Sequence, residues 1–142
     1  MFGYRAVRAS TFSPTPLPPQ KFVEHIDQEE VGPITGTAKT VLIEYRRDGC
    51  KWCERLDAET LPGFKKEFVE IGQFSLAVVD VTAEFQGGEP PARRKVHVRV
   101  TPTLLVGTRS DGVDVVTRIN GFMTLPQLKA ALLMVGVKGD GK

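Results

Sequence analysis

The stretch TVLIEYRRDGCKWCERL, residues 40–56, decides how this chain folds. Its first six residues are a short apolar run with β-branched side chains, which is typical of a buried central strand. The residues that follow the cysteines have helical character. The stretch therefore predicts a strand that leads directly into a helix, with Cys50 and Cys53 at the junction.

Three further strands are indicated downstream of this junction. FSLAVVDV, residues 74–81, is a second apolar run of strand length. TLLVGT and VDVVTRI are joined by RSDG, whose Asp-Gly pair is a turn signal for an antiparallel hairpin.

The expected helices lie between and after these strands. The helix that begins at the cysteines is expected to stop at Pro62-Gly63. FKKEFVEIG, residues 64–72, then predicts a second helix from the spacing of its apolar residues, and ARRKVHV, residues 92–98, predicts a short one. Thr124 is an N-cap with Gln127 as its capping-box partner, which predicts a last helix. The order predicts an α/β fold with a central mixed sheet of about four strands and helices on both faces.

Residues 1–35 differ in composition from the remainder. SPTPLPPQ, residues 13–20, holds four prolines, which favours an extended tether, and KFVEHIDQEE, residues 21–30, predicts one helical turn. We therefore expect a proline-rich tail or linker over 1–35 and one domain over 36–142.

The overall charge excludes some classes of partner. The net charge is only +2 and the basic residues are scattered, so neither nucleic acid nor a membrane surface is indicated. No apolar run approaches the roughly 18 residues that span a bilayer. The first ten residues carry two arginines without an apolar core, so no intact signal peptide is expected. We expect a monomer.

The position of the cysteines favours redox chemistry. The first N–H groups of a helix lack intrahelical partners, and the helix dipole favours negative charge there. Such a site can lower the pKa of a cysteine from about 8.5 to roughly 3.5–7.5. Cys50 is then expected to attack a disulfide, and Cys53, one turn further on, to resolve the mixed disulfide.

Other interpretations of the two cysteines stay open. A purely structural bridge across so short a loop would stabilise the fold weakly. A metal site needs further ligands, and the chain's two histidines, His25 and His97, do not stand at zinc-finger spacing from the cysteines. Two inert core cysteines are disfavoured because Gly49 and the charges around the motif predict exposure.

Three segments together carry a resemblance to a known family. VLIEY followed by GCKWC, then VRVTPTLLV, then RINGFMTLPQLKAAL resemble thioredoxin-fold thiol–disulfide oxidoreductases over residues 38–136. The similarity is greatest to bacterial periplasmic thioredoxin-like proteins and to the C-terminal domain of the thiol–disulfide interchange reductase. The peptide bond before Pro102 would be trans on base rates alone, since only about 5% of X–Pro bonds are cis.

The resemblance implies roles for five residues. Cys50 would be the nucleophile and Cys53 the resolving thiol. Pro102 would be a cis-proline that faces the sulfur atoms, the backbone of Thr101 would pair with an extended substrate strand, and Gly121 would form part of the substrate groove wall.

Glu44 corresponds to a buried carboxylate that helps to deprotonate the resolving cysteine in this family. A lone carboxylate in VLIEY is costly to bury unless it is functional or paired, and burial would raise its pKa. The alternative is that Glu44 lies at an edge of the sheet or on a solvent-exposed face. Trp52 is a candidate substrate contact or a packed structural residue.

The sequence also departs from the family pattern. Gly49 replaces a tryptophan, Lys51-Trp52 replaces Gly-Pro, and Val78 replaces the lysine that faces the buried carboxylate. The resemblance implies a protein-disulfide reductase without a cofactor, which uses an upstream thiol electron donor. An isomerase, an oxidase or a non-catalytic binding module are the alternatives. The bacterial periplasm or another exported location is expected, with the cytoplasm as the alternative.

Overall fold

A computed structural model describes residues 18–140 and contains one six-stranded mixed sheet. The strand order is β1-β6-β5-β3-β4-β2; β3 and β4 are parallel, and the other neighbours are antiparallel. The α/β prediction is confirmed, with six strands in place of about four. The strands are β1 Gln20–Asp27, β2 Ile34–Thr35, β3 Thr40–Arg46, β4 Ser75–Asp80, β5 Thr103–Arg109 and β6 Gly112–Asn120.

In the described part of the chain, four helical segments accompany the sheet. They are α1 Gln28–Val31, a segment over 51–69 that we call α2, α3 Thr82–Phe85 and α4 Leu125–Met134. Within residues 18–140, none of these helices has the length and apolarity to cross a bilayer.

The two helices that the sequence predicts on either side of Pro62-Gly63 form one segment, α2. It alternates α-helical turns with wider π-helical turns, over Lys51–Arg55, Leu56–Thr60, Leu61–Phe64 and Lys65–Val69. The predicted stop at Pro62-Gly63 is wrong because Pro62 falls in the first turn of the stretch Leu61–Phe64. Pro62 lacks the N–H that a residue inside a helix would donate, and the turn before it, Leu56–Thr60, is of the wider π-helical kind.

The main core lies between the sheet and the helices α2 and α4. Leu42 of β3 and Leu104 of β5 pack with Leu56 of α2 and Leu128 of α4. The predicted capping box of α4 is confirmed, since the side chains of Thr124 and Gln127 each bond the other's backbone N–H.

Gly63 allows α4 to approach α2 closely. A Cβ atom at this position would lie 2.7 Å from a methyl carbon of Leu125, so a larger residue would require the Leu125 side chain to shift.

The segment over 91–98 packs against the opposite face of the sheet. Val96 is buried against the core of this face, yet the predicted helix over 92–98 is wrong. The backbone there is irregular because N–H groups of Lys95 and Val96 bond to a side chain, that of Glu30, at 2.6 and 3.4 Å.

The segment before residue 36 also differs from its prediction. Residues 20–27 form β1 in place of a linker with one helical turn, and within 18–35 the helical turn is α1. β1 pairs with β6 and buries Ile26 completely. Residues 13–17 of the proline-rich tail lie outside the described residues.

A buried carboxylate, Glu30, connects α1 to the sheet and to the 91–98 segment. Besides the two backbone N–H groups, it accepts a hydrogen bond of 2.7 Å from the Tyr45 hydroxyl. Arg94 lies 3.7 Å away and also pairs with Glu84 at 2.8 Å. Burial and the nearby charge of Glu30 raise the pKa of Tyr45 above its ordinary value.

We expect Glu30→Gln to lower the free energy of unfolding by about 2–4 kcal/mol, because the amide nitrogen would face donors and Arg94 would lose a buried counter-charge. Urea denaturation measures the change. Glu29→Gln, on the exposed side of the same turn, is the matched control and should stay within about 0.5 kcal/mol of the wild type. Equal effects of the two substitutions would contradict the role of Glu30.

Candidate active site at the strand-to-helix junction

Cys50 and Cys53 lie at the predicted junction of β3 and α2. Cys50 is the N-cap of α2, and its Sγ accepts a hydrogen bond of 3.1 Å from the N–H of Cys53. The two Cα atoms are 5.2 Å apart and the two sulfur atoms are at disulfide distance. The geometry therefore joins the cysteines as a pair and directs a helix N–H group at the first sulfur.

The loop before β5 faces this sulfur, as the sequence predicts. Sγ of Cys50 lies 3.4 Å from the carbonyl oxygen of Thr101 and 3.2 Å from its hydroxyl oxygen, which can donate a hydrogen bond to sulfur. The peptide bond between Thr101 and Pro102 is cis. A thiolate at Cys50 would have two donors, the Cys53 N–H and the Thr101 hydroxyl, and both would stabilise its charge.

Cys50 is less exposed than the charges around it suggest. Only 4% of its surface is accessible, and Cys53 is completely buried. Gly49 and Lys51 on either side of Cys50 are exposed, and Thr101 is half-buried. A partner must therefore approach the first sulfur over the exposed backbone of the junction and of the facing loop.

Gly121 lies beside the same loop. Its N–H donates a hydrogen bond of 2.8 Å to the carbonyl oxygen of Pro102. Its φ angle is 99° and nothing lies within 4 Å of an added Cβ, so this position favours glycine for its backbone conformation and not for lack of space.

Trp52 is partly buried against Phe122. The ring centroids are 5.5 Å apart, and the guanidinium of Arg55 lies 5.1 Å from the Trp52 centroid and 5.0 Å from that of Phe122. Arg55 is held in turn by Glu59 through hydrogen bonds of 2.9 and 3.0 Å. The sequence leaves open whether Trp52 packs or contacts substrate; it packs, and part of its ring stays accessible.

Glu44 is completely buried on β3, and neither of its oxygen atoms has a hydrogen-bond partner among the described residues. It lies on the same face of β3 as Leu42, two residues away, and that face packs against α2. Burial first, and then the nearby carboxyl group of Asp57, raise the pKa of Glu44 from its ordinary value of 4.5 to about 9. Glu44 therefore holds a proton at neutral pH.

The surroundings of Glu44 include charges that the sequence did not single out. Val78 is its register neighbour on β4, as predicted, and supplies no charge. Arg46, two residues along β3, bonds the carboxylate of Asp57 at 3.1 Å and lies 3.5 Å from that of Asp80. Only the tertiary fold brings α2 and β4 to this arginine, so no local pattern could have revealed the cluster.

The metal alternatives gain no support from the described residues. Within 18–140, no three histidine, cysteine or acidic side chains are arranged to hold a metal ion. His25 lies on β1 and contacts Asp114 at 2.7 Å, away from the cysteines in the chain's topology.

Comparison with known proteins gives a family match. The family model described as a thioredoxin-like domain matches residues 28–136. No curated protein sequence matches the chain. A solved structure titled "Structure of a malarial protein" is 14% identical, with a TM-score of 0.48, over 68% of this chain and 96% of that one.

The raised pKa of Glu44 predicts a pH-dependent stability of the disulfide form. Below about pH 4.5 both the folded and the unfolded states hold the proton, and between about 4.5 and 9 only the folded state does. Unfolding then releases a proton, so rising pH destabilises the fold through this window. From about pH 5 to about pH 8, we expect wild type to lose about 2–4 kcal/mol of unfolding free energy relative to Glu44→Gln.

Chemical denaturation of the oxidised proteins at several pH values measures this difference. Glu54→Gln, which removes an exposed carboxyl group from α2, is the control and should leave the pH dependence of the wild type intact. A constant difference between wild type and Glu44→Gln from pH 5 to 8 would show that Glu44 does not hold its proton in the fold.

Proposed function

Because this chain belongs to the family of thioredoxin-like domains, we propose that it is a thiol–disulfide oxidoreductase that reduces disulfide bonds in proteins. The observation that carries the proposal is the pairing of Cys50 with Cys53 at the start of α2, opposite Thr101. In the thiolate form, the two hydrogen-bond donors at Cys50 would make it the better attacking group of the pair.

The proposed reaction moves two electrons to the substrate. The Cys50 thiolate attacks one sulfur of the substrate disulfide, the substrate's S–S bond breaks, and its second sulfur leaves as a thiolate that takes a proton from water. Cys53 then loses its proton and attacks Sγ of Cys50. The mixed disulfide breaks, the Cys50–Cys53 disulfide forms, and the substrate leaves with both of its cysteines reduced. An upstream dithiol returns two electrons to the pair.

Glu44 is proposed to carry the proton of Cys53. Cys53 is completely buried, so a thiolate formed there has no access to water and is costly without a proton. When the upstream dithiol opens the disulfide, protonated Glu44 would donate its proton toward the departing Cys53 sulfur. In the direction of substrate reduction the carboxylate of Glu44 would take that proton back.

The direction of electron flow is a separate part of the proposal. An equilibrium potential of the pair near about −270 mV against glutathione would support a reductase, whereas one near about −120 mV would support an oxidase. Lys51 and Trp52 replace the residues that separate the cysteines in thioredoxin, so this potential must be measured for this chain.

We expect Cys50→Ser to abolish reduction of insulin disulfides and Cys53→Ser to accumulate a mixed disulfide with substrate, since the resolving step would be missing. Non-reducing electrophoresis and mass spectrometry detect the trapped species. Double replacement of Cys50 and Cys53 by serine is the control and should trap nothing. If the wild type and Cys50→Ser both reduced insulin no faster than the added reductant alone, the non-catalytic binding module would be favoured.

For Glu44→Gln, we expect resolution of the mixed disulfide to slow by about 10- to 100-fold at neutral pH while the first attack changes little. Rapid mixing with a small disulfide separates the two steps. With Glu44 as the base, the rate of resolution in the wild type should rise with pH toward about 9, the pKa of this residue, and the Gln variant should lack that part of the profile. An equal loss in both steps would contradict the proton-carrying role.

A further inference from the structure

A groove with two guanidinium groups adjoins the loop that faces the cysteines. It encloses about 580 Å³ between β1, β6 and the segment that leads to Thr101. Phe22, His97, Arg99, Val100, Arg118 and Asn120 line it, and none of its lining residues is acidic. We call it the basic groove.

Two chain connections join the basic groove to the site. Val100, whose surface is 47% exposed, precedes Thr101, and the Thr101 hydroxyl lies 3.2 Å from the Cys50 sulfur. Asn120 precedes Gly121, whose N–H bonds the carbonyl oxygen of Pro102. A polypeptide that reaches the Cys50 sulfur across the Thr101 loop would therefore extend over this groove.

Arg118 is fixed in the wall of the groove. Its guanidinium donates hydrogen bonds to the carbonyl oxygen of His97 at 2.7 Å and to the side-chain oxygen of Asn120 at 3.1 Å. It also lies 5.8 Å from the ring centroid of Phe22. These contacts orient the group before any ligand arrives, and a preorganised charge binds a partner at a lower entropic cost.

Neither arginine of the groove has an acidic partner. Among the ion pairs of residues 18–140, none includes Arg99 or Arg118. Burial, with the like charge of Arg99 adding to it, lowers the pKa of Arg118. A carboxylate in the groove would offset both the burial of Arg118 and its repulsion by Arg99.

We infer that the basic groove selects protein substrates that carry acidic residues close to the reactive disulfide. This inference rests on the proposed function, because it assigns a substrate class to the same site. The segment over 1–17 does not match the groove in charge, since it contains two arginines and no acidic residue. Two guanidinium groups are too few for strong binding of a nucleic acid, which depends on many phosphate contacts.

The test uses the full-length reduced protein and disulfide-linked peptides. One peptide carries three aspartates beside its cysteine, a second carries three asparagines and a third carries three lysines. Each peptide is made in two versions, with the three residues before the cysteine or after it. At low salt we expect the acidic peptide to be reduced about tenfold faster than the neutral one, and the advantage to shrink at roughly 0.5 M salt.

Arg99→Gln should lower the rate for the acidic peptide by about two- to fivefold more than it lowers the rate for the neutral peptide. Arg99→Glu should favour the lysine peptide. Arg99 is exposed and has no ion pair among the described residues, so these variants should fold. Arg93→Gln makes the same change of charge at an exposed position outside the groove and should change neither rate.

The outcomes separate this inference from the proposed function. Reduction of all three peptides at equal rates would overturn the acidic selectivity and leave the oxidoreductase intact. Failure to reduce even the neutral peptide would overturn the proposed function itself. If an oligonucleotide bound the wild type and Arg99→Gln weakened it while the peptides showed no preference, the groove would be a nucleic-acid site and the inference would be wrong.

Discussion

The antiparallel register between β3 and β5 places Cys50, which follows β3, opposite Thr101, which precedes β5. Tyr45 lies across from Thr103, so Cys50, beyond the end of β3, comes within reach of Thr101, before the start of β5. Side chains alternate between the faces of a strand, so a slip of one residue would turn Glu44 away from α2 and displace Thr101 from the sulfur. One set of backbone hydrogen bonds therefore maintains both the core and the site.

The fold is predictable from the sequence where local and tertiary preferences agree. The β-branched run of β3, the Asp-Gly hairpin and the capping box at Thr124 each report the structure that they adopt. β1 is different, because it is an edge strand whose Val23 is 75% exposed and whose pattern shows no regular alternation. The backbone of the 92–98 segment is held by Glu30, a residue distant in sequence, so its conformation cannot be predicted from its own residues.

The candidate site also combines features that local sequence predicts with features that depend on tertiary packing. Cys50, Cys53 and Glu44 can be found from the sequence because each is unusual in its local setting: two cysteines at a strand-to-helix junction and a carboxylate inside an apolar strand. The surroundings of Glu44 cannot, since Arg46 and Asp57 meet only when α2 packs on β3. The basic groove likewise needs β1, β6 and the loop before β5 to come together. Local chemistry indicates the candidate reacting groups, and tertiary packing determines their electrostatic environment.

The ends of the sheet restrict where another polypeptide can pair with this protein. At one edge, β2 has only two residues, too few to guide a further strand. At the other, Pro18 and Pro19 precede β1, and its register shifts between Lys21 and Glu24. Irregular pairing and prolines both discourage edge-to-edge association. A protein that is proposed to bind an extended substrate strand at Thr101 therefore has sheet edges that discourage pairing with that same strand.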